Sequence, residues 1–325
     1  MPVSVAVEKV STFSEHLDGK IVPGGLPPCL NEDKLLYGTL ENALDLTIGY
    51  QELDDSAPQK SKLNSLINYI RKISNKGSPI KTIIDAEFVT TPRILNALGR
   101  SIYNISPLEI QAVRMNDVIF IYDRISESTD SSIPYLHKFR QYMTLRKNGN
   151  PNGNHDKISS GDSFCVINRL TLKSESAVED LKVFYASNVD AIDKDGNFIE
   201  IKTTAGSHKK WLEKQSLRHY FQSFFANSPY IVYGRRTNFQ EQTISKVDKV
   251  RRDDISKDRV IWNKEKCFDQ LFKVLIKIKS ELEYDEQFIT VNVTGEDVFC
   301  ENEDIDFRSV HDFEYFDFSL LKHFE

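Results

Sequence analysis

The sequence predicts an α+β fold: mixed, largely antiparallel sheets with packed helices. Two observations carry that prediction. Strand-like apolar runs dominate the chain, and two pairs of them read as hairpins lying next to helical stretches.

Taken in order, residues 1–30 hold Pro23-Gly24-Gly25 and Pro27-Pro28 and read as an irregular lead-in. Over residues 63–73 the apolar positions Leu63, Leu66, Ile67, Ile70 and Ile73 recur at helical spacing, and Gly77 with Pro79 ends that helix. A shorter helix is expected at 94–102. Residues 109–114 and 118–122 form a hairpin joined across Met115-Asn116-Asp117. The Asn- and Gly-rich stretch 148–154 is a loop. Beyond it come a strand at 164–172, a second hairpin over 183–203, a helix over 211–226, a strand at 230–233, a helix over 266–282 and a strand at 288–293. No repeat or low-complexity tract interrupts this series, and one domain over residues 1–325 is expected.

Composition narrows the class. The chain has 325 residues, 40% of them hydrophobic, with 20 Phe and 13 Tyr, so it has ample core material, and disordered, collagen-like or coiled-coil architectures are excluded. The longest apolar runs, 118–122 and 230–233, fall far short of the roughly 20 residues of a spanning helix, so no membrane partner is expected. The first 20 residues show no secretory pattern. Cys29, Cys165, Cys267 and Cys300 are scattered without a CxxC pair, so an intracellular protein with free thiols is expected rather than a zinc site or disulfide scaffold. A net charge of −6 argues against indiscriminate coating of nucleic acid and is silent about a local basic cleft.

Chemistry concentrates in residues 188–202. Asp195-Gly196 marks a turn, and Glu200 and Lys202, two apart on a strand, share a face. Loop parity decides what they meet. A two-residue loop puts Asp190 and Glu200 on opposite faces; a three-residue loop, Lys194-Asp195-Gly196 with Gly196 left-handed, pairs Asp190 with Glu200 and Asn188 with Lys202. The odd loop is favoured, because it gathers the polar residues and leaves Val189, Ile199 and Ile201 on an apolar face. Two carboxylates and a lysine so arranged match the D…(E)xK pattern of PD-(D/E)xK nucleases. There Mg²⁺ or Mn²⁺ on carboxylate oxygens activates water, and the lysine stabilises developing charge. A solvent-facing hairpin of alternating charge explains the local pattern equally well.

An ordered series of motifs decides between these. Glu87-Phe88-Val89-Thr90-Thr91-Pro92-Arg93 falls where one family reads F-V-x-W-R-G, and Leu136-His137-Lys138-Phe139-Arg140-Gln141 where it reads G-Y-K-F-E-Q. Asn188-Val189-Asp190 stands for E-V-D, Glu200-Ile201-Lys202 for E-x-K, Gln222-Ser223-Phe224 for a Gln-Ser-Phe step on a helix, and Gly234-Arg235-Arg236 for Gly-Phe-Arg. Over residues 88–236 the chain resembles the DXO family of decapping nucleases. The resemblance implies a DXO-like fold containing a PD-(D/E)xK core. In active members, the motif glutamate at position 140 and the Asp and Glu at 190 and 200 hold metals, and the first motif's arginine contacts substrate. This chain keeps Asp190, Glu200, Lys202 and Gln222. It carries Arg140 and Asn188 where the family has glutamates, and Pro92 in place of the arginine, with Arg93 displaced by one residue. Those two glutamate exchanges raise the local formal charge by about three. Arg140 cannot ligate a metal and could pair with Asp190 and Glu200 instead.

The resemblance with its departures implies a degenerate, catalytically inactive family member acting in nuclear RNA 5′-end processing or small-RNA pathways. It would bind RNA 5′ ends, or nuclear RNA-processing or silencing proteins, and need no cofactor. Insect relatives of the Cutoff type are similarly eroded, and the residues do not assign this chain to that branch. The rival is an active decapping hydrolase and 5′-to-3′ exoribonuclease holding Mg²⁺ or Mn²⁺ on Asp190 and Glu200, with Lys202 stabilising charge and Gln222 positioning. A third reading is a pure scaffold.

Other features weigh less. The histidines lack metal-ligand spacing. The basic residues between Lys246 and Lys266 alternate with aspartates and read as a solvated face more than an RNA track. Arg235 and Arg236, like Arg93, are candidate RNA contacts. Trp211, Tyr220, Phe221, Phe224 and Phe225, beside Gln222, read mainly as core.

Overall fold

The computed structural model describes residues 2–35, 39–48, 62–104, 106–123, 133–156, 162–175, 179–236, 242–258, 260–303 and 316–324. Its longest strand is β1 (Ser4–Glu15), which replaces the irregular lead-in expected over residues 1–30. Between Lys9 and Ser11 its register slips by one residue, so Val5 and Val7 pack on one face of the sheet and Phe13 on the other. That bulge breaks the period-two pattern, which is why the strand is hard to read from sequence.

β1 pairs with β2 (Ile21–Pro23) and β7 (Ser163–Lys173), and the large sheet continues through β8 (Leu181–Asn188), β4 (Phe88–Thr90), β6 (Val118–Tyr122), β5 (Leu108–Met115), β13 (Phe288–Thr294) and β14 (Asp297–Asn302). A second sheet is ordered β3 (Thr39–Asp45), β12 (Thr243–Arg251), β11 (Tyr230–Arg236), β10 (Phe198–Ala205) and β9 (Ala191–Ile192). Most neighbours are antiparallel; β4 runs parallel to β6 and β8, and β10 parallel to β11. The fold is therefore the mixed, largely antiparallel α+β class expected.

Helices α1 (Lys62–Ile73) and α2 (Ile80–Ile84) cover one face of the large sheet, where Leu66, Ile70 and Ile80 meet Phe120, Phe184 and Phe316. On the other face lie α3 (Pro92–Arg100), α5 (His208–Lys214), α6 (Ser216–Phe225) and α8 (Lys264–Glu281). Their apolar residues form one cluster with Ile231 and Tyr233 of the second sheet, so both sheets share that core. The opposite face of the second sheet buries Ile199, Ile201 and Val232 under Phe139 and Met143 of α4 (Ile133–Met143). A single-turn α7 (Arg252–Ile255) follows β12.

Four expectations change in detail. The first hairpin turns on two residues, not three: Met115 already pairs with Val118, and Asn116 and Asp117 both adopt positive φ. The helix expected over 211–226 breaks at Gln215, whose side-chain carbonyl accepts the Thr204 hydroxyl at 2.8 Å. The hairpin expected over 183–203 is divided between the sheets, β8 in the large one and β9–β10 in the small one. The charged stretch after 246 is in part strand β12, whose apolar Ile244 and Val247 are buried while most of its charged residues face solvent.

Gly234 has a packing reason of its own. A Cβ there would lie 2.5 Å from Ile244 Cδ1 and 2.8 Å from the Phe139 ring, both fully buried. Gly234→Ala should therefore destabilise the protein by about 1–3 kcal/mol through overpacking between β11 and α4, read as a lower urea midpoint with unchanged slope.

Candidate functional site

The β9–β10 hairpin is built by one carboxylate. Ile192 pairs with Phe198 and Ala191 with Ile199. The Asp193 N–H donates to Asn197 O at 3.0 Å, and the Gly196 N–H donates to Asp193 O at 3.1 Å with Gly196 at φ +82°. The loop is thus the three residues Lys194-Asp195-Gly196, the odd parity the polar pattern favoured. Asp193 is buried, and its carboxylate accepts the backbone N–H groups of Asn197 at 2.8 Å and Asp195 at 3.1 Å and the Lys249 ammonium at 3.0 Å. Burial alone would raise this carboxyl, but the hydrogen bonds from Asn197 and Lys249 outweigh it and hold the group below the usual carboxylate range. Sequence reasoning missed Asp193 and Lys249; the signal available was an aspartate at the mouth of a glycine-bearing turn.

One register step further, Asp190 falls opposite Glu200, and its Oδ2 accepts the Ile201 N–H at 2.7 Å. The strand pairing stops there. Asn188, expected beside Lys202, instead ends β8, pairs with Cys165 across the large sheet and accepts the Cys165 thiol at 3.1 Å. The chain bends between the sheets at residues 189–190, so strand alternation does not carry from Asn188 to the hairpin.

Four charges meet at this hairpin. Arg140, reaching from α4, places Nε 2.9 Å from Asp190 Oδ1. The Nε–H makes no aligned hydrogen bond, so charge rather than direction holds the contact. Lys202 Nζ lies 2.5 Å from Glu200 Oε2, and both side chains are almost wholly buried. Each carboxylate therefore has its own cation, where Arg140 alone was expected to serve both. Burial pushes the Glu200 carboxyl up; the nearby Lys202 ammonium opposes that shift and the Asp190 charge adds to it. Behind Lys202, the buried His219 accepts the Trp211 indole N–H on Nδ1 at 2.9 Å, and burial together with the Lys202 charge keeps its imidazole neutral.

The remaining candidates are dispersed around this cluster. Gln222 lies half-buried on α6. Pro92 opens α3 behind the Thr91 cap, and Arg93 Nε donates to Asp123 Oδ2 at 2.8 Å. Arg235 is in register with Thr204 and so shares the Glu200–Lys202 face of the sheet, where it pairs with Asp248. Arg236 falls on the opposite face, toward α4, and donates to Gln242 at 2.7 Å. The two arginines are thus not a joint phosphate clamp.

A divalent cation of this chemistry needs several free carboxylate oxygens. The cluster offers two carboxylates, each facing a protein cation within 2.9 Å, and among the described residues no three of His, Cys, Asp and Glu gather as a ligand set. The residues do not fit such a metal.

The sequence profile of the family described as RAI1 like PD-(D/E)XK nuclease matches residues 26–313. The chain belongs to this family. It is 26% identical over 295 residues to the decapping nuclease dom-3 of Caenorhabditis elegans, covering 85% of this chain and 74% of that protein. Its fold matches Candida albicans Rai1, solved with pU5 and Mn²⁺, at a TM-score of 0.73 and 14% identity over 99% of this chain and 95% of that one. Scheffersomyces stipitis Rai1 matches at 0.69 and 14% identity, over 92% and 91% of the two chains. The DXO resemblance read from the motifs and the RAI1-like family are the same grouping.

Asp193→Ala should cost about 1–3 kcal/mol at neutral pH, since it strips two backbone N–H groups, the Asn197 side-chain amide and the partly exposed Lys249 ammonium of their acceptor. Folding depresses this pKa, so its contribution is complete above the unfolded carboxylate value of about 3.9 and is lost as pH falls through the lower folded one. Urea unfolding of both proteins should show their stability gap narrowing below about pH 4.

Proposed function

We propose that this chain is a non-catalytic member of the RAI1-like family that binds RNA 5′ ends and acts in nuclear RNA 5′-end processing or small-RNA pathways. The contact of Arg140 with Asp190 carries the reading. The guanidinium lies against the Asp190 carboxylate, and its positive charge keeps a divalent cation from that side chain. It also relieves the repulsion between Asp190 and Glu200 that a metal would otherwise neutralise. Binding to RNA is supported by the Candida albicans relative solved with pU5 and by Arg235 on the Glu200–Lys202 face. Phosphate would have to take Arg235 from Asp248, which limits affinity and makes it salt-dependent.

Retention of Asp190, Glu200 and Lys202 favours the second reading, a metal-dependent decapping hydrolase and 5′-to-3′ exoribonuclease. Incubation with 5′-triphosphate and 5′-monophosphate RNA and Mn²⁺ separates the two: no product is expected, and turnover that Asp190→Ala abolishes would establish the enzyme instead. Arg140→Glu combined with Asn188→Glu should create measurable Mn²⁺ affinity by calorimetry; no gain would place position 140 outside the ancestral metal site. Arg235→Ala should weaken single-stranded RNA binding several-fold and lower the slope of log K against log salt by about one. Absence of single-stranded RNA binding would leave a scaffold role.

A further inference from the structure

A cavity of about 400 Å³ opens between β1, the chain just after β2 and the tip of the β9–β10 hairpin. Phe198, in its wall, shares a face of β10 with Glu200 one alternation away, so the cavity adjoins the charged cluster without containing any of its four charges. Small-molecule sites run from about 300 to 1,000 Å³, and this volume holds one nucleotide rather than two.

Its chemistry differs from that of the protein around it. Among the described residues that line the cavity, none is acidic. Two are cationic: Lys9 from β1 and Arg252 from the start of α7. The Lys9 ammonium stands 5.0 Å from the Phe198 ring centroid, and among the described residues it has no carboxylate partner. Arg252 pairs with Asp253 at 3.0 Å and its guanidinium packs over Phe224. Phe164 and Phe198 meet edge to face at 6.2 Å and give the cavity an apolar floor. Leu26 at its mouth is 80% exposed. Asn197 commits its amide N–H to Asp193 and so offers its carbonyl oxygen as an acceptor.

A flat ring with a polar edge and an attached anion satisfies all of these groups together. We propose that the cavity is a nucleotide site, taking one nucleoside monophosphate, free or as a unit of single-stranded RNA. The phosphate lies between Lys9 and Arg252, and the base rests on the aromatic floor under Leu26 with its edge toward Asn197. This site rests on the cavity alone and stands whether or not the Asp190 cluster is catalytic.

Calorimetric titration of the full chain with uridine and adenosine 5′-monophosphates, and separately with a single-stranded RNA pentamer, tests it. Saturable binding is expected, weakened at least about tenfold by Lys9→Glu, the loss of one charged hydrogen bond, and less by Leu26→Ala. Both positions are exposed, and an unchanged urea midpoint verifies the fold. Lys147→Glu, an equal charge change on an exposed loop, should leave binding intact. If Lys9→Glu affects RNA alone, the occupant is an RNA unit; if it affects the monophosphates as well, free nucleotides also bind. No saturable binding of any probe overturns the proposal, as does binding that Lys9→Glu leaves unchanged or that Lys147→Glu weakens equally. Arg235→Ala should leave monophosphate binding unaltered, so failure of the RNA reading above and failure of this site are distinguishable.

Discussion

The arrangement of the charged cluster depends on the parity of one loop. Side chains alternate across a strand, so adding or removing a residue between β9 and β10 would exchange the faces of every residue on one strand relative to the other. Asp193 settles this by binding two backbone N–H groups of its own turn and the Lys249 ammonium from β12. With that parity, Asp190 meets Glu200 and leaves Ile199 and Ile201 for the core beneath α4. A buried carboxylate with four donors is costly to form and costlier to break, and here it joins the hairpin to a strand two positions away in the sheet.

The second sheet uses its two faces for different ends. One face packs under α4, with Gly234 allowing Phe139 close enough that the same helix delivers Arg140 to Asp190. The other face carries Glu200, Lys202 and Arg235 in a row and merges with the core around Trp211 and Tyr233. Packing places the first ion pair: the fully buried Phe139 fixes α4, and with it the backbone from which Arg140 reaches Asp190. A family known for metal chemistry is thus represented by a chain whose carboxylates are neutralised by its own cations.

Much of this was legible because it was local. The helix ending before Gly77, the hairpin around Asn116-Asp117 and the strands bearing Glu200 and Ile231 announce themselves by periodicity and turn residues. Segments that escaped notice lacked a clean period. A bulge interrupts β1, β4 is three residues long, and charged residues mask the buried Ile244 and Val247 of β12. Asn188 misled for a related reason: alternation holds only within one strand, and the chain changes sheets directly after it.

By itself the sequence determined the α+β class, the family, and the residue types of the cluster, since each depends on local pattern or on motifs in order. It also determined that position 140 carries a cation that cannot bind a metal. Only the tertiary structure decided which carboxylate that cation meets, that Lys202 takes the other, and that Arg235 and Arg236 part to opposite faces. It alone brought Lys9 of the first strand to Phe198 of the hairpin. Such contacts follow from how sheets and helices stack, and the energy that places them is spread over a core that no single segment contains.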